Sequence, residues 1–120
     1  MQYLIMIFED AAAFANRTSP EAPKMFAAYG AYTAALREAG VLVGGNPLQP
    51  PHTATTVRLR DGKRQVQDGP IADTKEQLGG YYLIDVPNLD AALDWAAKCP
   101  AASYTAVEVR PVLAIPNRPA

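Results

Sequence analysis

The stretch that decides the fold is "QDGPIADTKEQLGGYYLIDV", residues 67–86. Its first half crowds Asp68, Asp73, Lys75 and Glu76 around a Gly69-Pro70 turn, and its second half is a nearly uncharged run. Within residues 79–87, Tyr81 and Leu83 point one way and Tyr82, Ile84 and Val86 the other, so a strand here is apolar on both faces. Such a strand is covered on both sides. Residues 2–9, QYLIMIFE, have the same character, with Leu4, Met6 and Phe8 opposite Tyr3, Ile5 and Ile7.

Working outward, residues 10–18 read as a loop. Ser19-Pro20 or Ala22-Pro23 opens a helix, because proline is tolerated in a first turn. Met25, Ala28/Tyr29, Tyr32, Leu36 and Ala39 recur at helical spacing, and Gly40 stops the helix. Residues 41–48 form a short strand broken by Gly44-Gly45. Residues 53–60, TATTVRLR, alternate; Asp61-Gly62 signals a hairpin turn, and residues 63–67 return as a strand. Asn88 caps a second helix with the stripe Leu89, Ala92/Leu93 and Ala96, Pro100 ends it, and residues 104–113 alternate again. One domain is expected over residues 1–113, with a polar tail over 114–120.

This order predicts an α+β fold, a ferredoxin-like split βαβ sheet with an extra hairpin and the two-sided strands at its centre. Two helices cover only one face of such a sheet. The second apolar face calls for a second copy of the same sheet, and so a homodimer with a two-fold contact is expected.

Hydrophobic residues at 49% and charged residues at 19% suit a globular domain rather than a disordered one. Net charge is −1 with no basic face, so no nucleic-acid partner is expected. One Cys (Cys99) and one His (His52) exclude a Cys/His zinc site within one chain. Cys99, just before Pro100, reads as a buried small hydrophobe. The N-terminus lacks a basic region, and no stretch reaches the roughly 18 apolar residues of a membrane helix. A cytoplasmic protein without membrane contact is therefore expected. No nucleotide loop, metal-ligand spacing or common nucleophile motif is present, so no cofactor and no metal are expected.

The candidate site residues cluster around the charged turn. Asp68-Gly69-Pro70 either simply builds a turn or holds Asp68 at the mouth of a cleft. Asp73, Lys75 and Glu76 either form a solvated ion pair or include a carboxylate desolvated by the strand behind them, fit for acid or base work. His52, in a Pro-rich loop, is either exposed or a base oriented by one of these carboxylates. Arg58 and Arg110 pair across strands or clamp an anionic ligand, and Tyr81 and Tyr82 are core or interface, with hydroxyls that could donate into a pocket.

"DGPIADTKEQLGGYYLIDV" also resembles the signature of the YCII-related family, in its DGPF-domain branch, whose members show Asp-Gly-Pro-Phe, a Glu-Thr-Lys-Glu-like run, Gly-Gly and an apolar strand. The opening strand, the helix ending in Glu38-Ala39-Gly40, "GNPLQP", "TVRLRDGK" and "EVRPV" extend the resemblance to about residue 113. Ile71 stands where the family shows Phe, and Asp73 where Glu is common. The resemblance implies a dimeric α+β barrel. It also implies possible small-molecule enzymes, with a His/Asp pair proposed in some members and a dehydrochlorinase-like relative. The DGPF branch resembles proteins encoded beside extracytoplasmic-function sigma factors.

Two functions follow as expectations. The first is a cofactor-independent small-molecule enzyme using acid/base chemistry in a dimer cleft. His52, Asp68 and Asp73 would be catalytic, and Arg58, Lys75, Glu76, Tyr81 and Arg110 would bind substrate. The second is a non-catalytic ligand-binding or regulatory dimer linked to sigma-factor or stress signalling.

Overall fold

Strand β1 (Gln2–Glu9) obeys the expected alternation: Tyr3, Ile5, Ile7 and Glu9 are buried, and Leu4, Met6 and Phe8 are half-buried. The computed structural model, which describes residues 1–116, places β1 at the centre of a four-stranded sheet. The expected tail over 114–120 lies partly outside the described residues.

After β1 the chain departs from expectation. Residues 11–16 form a short helix, α1 (Ala11–Asn16), not a loop. Asp10 caps it, its carboxylate accepting from the Ala13 N–H at 2.9 Å. A helix of this length makes fewer than two turns, too short to display a hydrophobic period. Helix α2 (Ala22–Glu38) carries Pro23 in its first turn and buries Tyr32 and Leu36. The inward stripe is narrower than predicted, since Ala28 and Ala39 are exposed. Gly40 ends α2 at φ +73°, a conformation glycine adopts without a Cβ clash.

Strand β2 (Leu42–Pro47) pairs with β5 (Gln77–Asp85), β5 with β1, and β1 with β6 (Ala106–Pro111), all antiparallel. The order β2-β5-β1-β6 puts the two strands with apolar faces in the middle, as a ferredoxin-like sheet requires. Between β2 and β5, β3 (Thr55–Arg60) and β4 (Lys63–Asp68) form a separate two-stranded sheet. Their turn has positive φ at both Asp61 and Gly62, the type I′ geometry that two-residue hairpins favour.

Helix α3 (Leu89–Lys98) starts at the predicted cap, with Asn88 Oδ1 accepting from the Ala91 N–H at 2.9 Å. Its buried residues are Ala92 and Ala96; Leu89 and Leu93, expected to face inward, are each 46% exposed. Small alanines let the helix sit close to its neighbours, which leaves the leucines at its margin.

All helices pack on one face of the sheet, around a core that includes Ile5, Leu36, Ile84 and the buried thiol of Cys99. Burial pushes that thiol up to about 11, so it stays protonated at neutral pH. The molecule measures 48 × 47 × 20 Å, its thinnest dimension being that of one sheet plus one helical layer. Leu4, Met6, Phe8, Leu78, Tyr81 and Leu83 share the other face and are half-buried or exposed. Leu36 is the largest fully buried side chain contributed by the α-helices among the described residues. Leu36→Ala should therefore lower the unfolding free energy by about 2–5 kcal/mol in urea titration; a loss under about 1 kcal/mol would show that α2 does not seat this core.

Candidate functional site

Continuing the β1 alternation one residue past Ile7 places Glu9 on the inner face, and only 4% of it is exposed. A carboxylate this deep is tolerable only with charged and hydrogen-bonding partners. Arg17, at the end of α1, supplies them. Its Nη2 donates to Glu9 Oε1 at 2.9 Å and to the Gly79 carbonyl at 2.9 Å, and its Nη1 donates to the Leu48 carbonyl. One guanidinium thus ties α1, β1, β5 and the segment after β2 together. Gly79 is required here, because a Cβ at this position would collide with the Glu9 carboxylate.

Beside this pair opens a cavity of about 900 Å³. Its helical wall is the face of α2 that carries Phe26, Tyr29, Gly30, Thr33 and Arg37; its other wall is β2 and β5. Glu9 Oε1 bonds Arg17. Oε2 has no hydrogen-bond partner among the described residues, and no buried side-chain oxygen there lacks one, so Oε2 opens into the cavity that Glu9 lines. The cavity also presents hydroxyls. Tyr29 shares a 2.9 Å hydrogen bond with Tyr104, and Tyr82 a 2.7 Å bond with Thr33. Burial pushes the Tyr29 and Tyr82 phenols, which line the cavity, above their ordinary range, so they remain neutral donors at neutral pH. The site thus combines one open carboxylate oxygen with neutral O–H groups, a set that can accept a proton and stabilise an oxyanion.

The YCII-related domain model matches residues 1–116. The chain belongs to the YCII-related family. An uncharacterized protein of Rhizobium meliloti (strain 1021) is 37% identical over 114 residues, covering 93% of this chain and 92% of that one. Among solved structures, the chain resembles 5-chloro-2-hydroxyhydroquinone dehydrochlorinase from Burkholderia phenoliruptrix AC1100, solved in complex with 2,5-dihydroxybenzoquinone. The TM-score is 0.55 with 17% identity, over 94% of each chain, a likeness of fold.

Of the residues singled out for a site in this YCII-related sequence, the cavity wall includes Tyr82 and, beside it, Tyr81. The Tyr81 ring shares the open face with Met6, and its hydroxyl accepts from Asn46 Nδ2 at 3.2 Å. His52 is exposed in a 3₁₀ turn (Pro51–Thr53), and Asp68 is exposed at the end of β4. No hydrogen bond or ion pair among the described residues joins His52 to Asp68 or Asp73. Gly69 closes the hairpin instead, at φ +97°, its N–H donating to the Ala54 carbonyl at 2.7 Å and its carbonyl accepting from Thr56 Oγ1 at 2.8 Å.

The ion pairing expected in the charged turn does not form: Asp73, Lys75 and Glu76 are exposed and outside the ion pairs of the described residues. Exposed pairs gain too little to order long side chains. Gln77 and Thr74 hold the turn through backbone carbonyls, with Gln77 Nε2 donating to Ala72 at 2.8 Å and Thr74 Oγ1 to Glu76 at 2.6 Å. Arg58 bonds Gln67 across the hairpin at 3.1 Å, and Arg110 is exposed on β6 beside Leu4.

Glu9 and Arg17 carry a further expectation. Arg17→Met strands a buried carboxylate and should lower stability by about 3 kcal/mol. Glu9→Gln keeps a side-chain oxygen for the guanidinium and should cost about 1 kcal/mol. Urea unfolding of both variants at neutral pH makes the comparison; equal losses would mean that the ion pair does not organise the site.

Proposed function

We propose that this YCII-related protein is a small-molecule enzyme that works by acid/base transfer in the Glu9 cavity, without a bound cofactor. The observation that carries the reading is the Glu9 oxygen that opens into a cavity otherwise supplied with neutral hydroxyls. In this reading Glu9 takes the proton, Tyr29 and Tyr82 donate to the oxygen that gains charge, and Arg17 is a positioning residue that orients the carboxylate. The dehydrochlorinase of similar fold supports elimination as the reaction class. There, a proton passes to the base as chloride leaves with the C–Cl electron pair and a double bond closes, for a net loss of HCl.

The reading includes a homodimer. The open sheet face carries Leu4, Met6, Phe8, Leu78, Tyr81 and Leu83, and a second copy offers the same apolar surface in return. Pairing would also give His52, Asp68, Asp73, Arg58 and Arg110 a route to a cleft, since each stands outside the Glu9 cavity of its own chain. A ligand-binding dimer without turnover is the second reading, favoured by one observation: Arg17 already holds Oε1 of Glu9.

Two measurements separate these. Chloride release from chlorinated hydroxyhydroquinones should be detectable with the unmodified chain and fall at least about 100-fold in Glu9→Gln. Binding of 2,5-dihydroxybenzoquinone without any turnover would favour the second reading, and turnover unaffected by Glu9→Gln would remove Glu9 as the base. For assembly, sedimentation should show a dimer that Leu4→Asp converts to monomer, because the substitution puts a charge at the centre of the apolar face; an unmodified chain that sediments as a monomer ends the dimer reading.

A further inference from the structure

The β3–β4 hairpin is amphipathic. In its register Val57 stands opposite Val66, and Leu59 follows on the same face, while Arg58, Arg60 and Lys63 lie on the other. Such an alternation belongs to a strand with one face covered. Here the apolar face is bare: Val57 and Val66 are each 59% exposed and Leu59 is 73% exposed. The two strands form a sheet of their own, and among the described residues neither packs extensively on any element but the other. The hairpin is held at its root, where the Gly69 N–H donates to the Ala54 carbonyl at 2.7 Å. Beyond that bond each strand runs for 6 residues, a reach of about 20 Å.

Two properties of the whole chain show how far the hairpin stands away from the body. A compact domain of this length has a radius of gyration of about 14 Å; this one has 16.3 Å. A monomer of 12.9 kDa exposes about 6,300 Å²; this chain exposes 8275 Å². The surplus of about 2,000 Å² is more than twice the roughly 800 Å² that each partner gives to an interface of standard size. It falls in the range that obligate homodimers bury per copy, roughly 1,000–2,500 Å². The direction of the hairpin matters too. The chain is only 20 Å thick, one sheet plus one helical layer, so the hairpin extends sideways from that layer and not over the bare face of its own sheet. A second copy seated on the sheet is what the ribbon would reach.

We infer that the β3–β4 hairpin is an exchanged arm: each copy seats the Val57–Leu59–Val66 face of its hairpin on the other copy, at the margin of the paired sheets. This rests on the homodimer reading and adds to it a contact outside the sheet faces. The exchange covers the apolar face, leaves Arg58, Arg60 and Lys63 in water, and steadies a two-stranded ribbon that is marginal by itself.

Val66→Asp sets a carboxylate opposite Val57, in the middle of the arm's apolar face. Sedimentation should show the dimer Kd raised at least about 100-fold in this variant. A second measurement needs no substitution. In a dimer mixed from ¹³C-labelled and unlabelled chains, the Val57 and Val66 methyls of the labelled chain should give nuclear Overhauser effects to protons of the unlabelled one. Methyl contacts confined to their own chain would overturn the inference, because the hairpin then folds back on its own copy. A Val66→Asp chain that dimerises like the unmodified one would overturn it as well, and if Leu4→Asp still dissociates, the sheet-face dimer stands without the arm. An unmodified chain that sediments as a monomer would sink both.

Discussion

A carboxylate on the inner face of a central strand sets the terms for much of this molecule. Glu9 cannot be buried alone, and the partner that neutralises it has to arrive from outside the sheet. Arg17 arrives on α1, which explains why a short helix interrupts the run from β1 to α2. The guanidinium has donors left after meeting Glu9, and it uses them on the carbonyls of Leu48 and Gly79. Those two carbonyls belong to the segments that frame the cavity. The same contact that makes the buried charge tolerable therefore shapes the site, and the absent side chain at Gly79 makes room for it.

The second constraint is geometric. A four-stranded sheet with its helices on one side has a bare side, and here the bare side is apolar along both central strands. The β3–β4 hairpin does not cover it, since the hairpin forms its own sheet and leaves Val57, Leu59 and Val66 exposed. An isolated two-stranded ribbon is marginal in water. The open sheet face and the open hairpin are thus two unsatisfied surfaces of one chain.

Much of the fold could be read in the sequence because it rests on local rules. Period-two alternation marked β1 and β5, and the tolerance of Pro23, Gly40, Asn88 and Asp61-Gly62 for particular backbone positions marked the ends of elements. Rotation of α3 escaped, because close packing of Ala92 and Ala96 outweighed the larger leucines beside them. The site was harder. Glu9 was within reach, since it continues the inward series Tyr3, Ile5, Ile7, but attention goes to the dense charges of residues 68–76, which solvent surrounds. Arg17 was out of reach: its contact with Gly79 spans 62 residues and depends on a helix too short to show a period. Charge density along a chain is a weak guide to burial, and a single charge in phase with a hydrophobic alternation is a better one.

The pairing order of the sheet has a consequence during synthesis. β1 emerges first, but its partners are β5 and β6, whose residues come from 77–85 and 106–111. Chains grow at roughly 5–20 residues per second. One of the most apolar segments of the protein, QYLIMIF, therefore waits several seconds on the ribosome with its edges unpaired. The bond from Thr105 Oγ1 to the Phe8 carbonyl joins atoms 97 residues apart, and it forms only once the segment leading into β6 has been made. The newborn chain is thus vulnerable to aggregation at β1 until β5 and β6 follow, and chaperones that bind short apolar strands would find a substrate there.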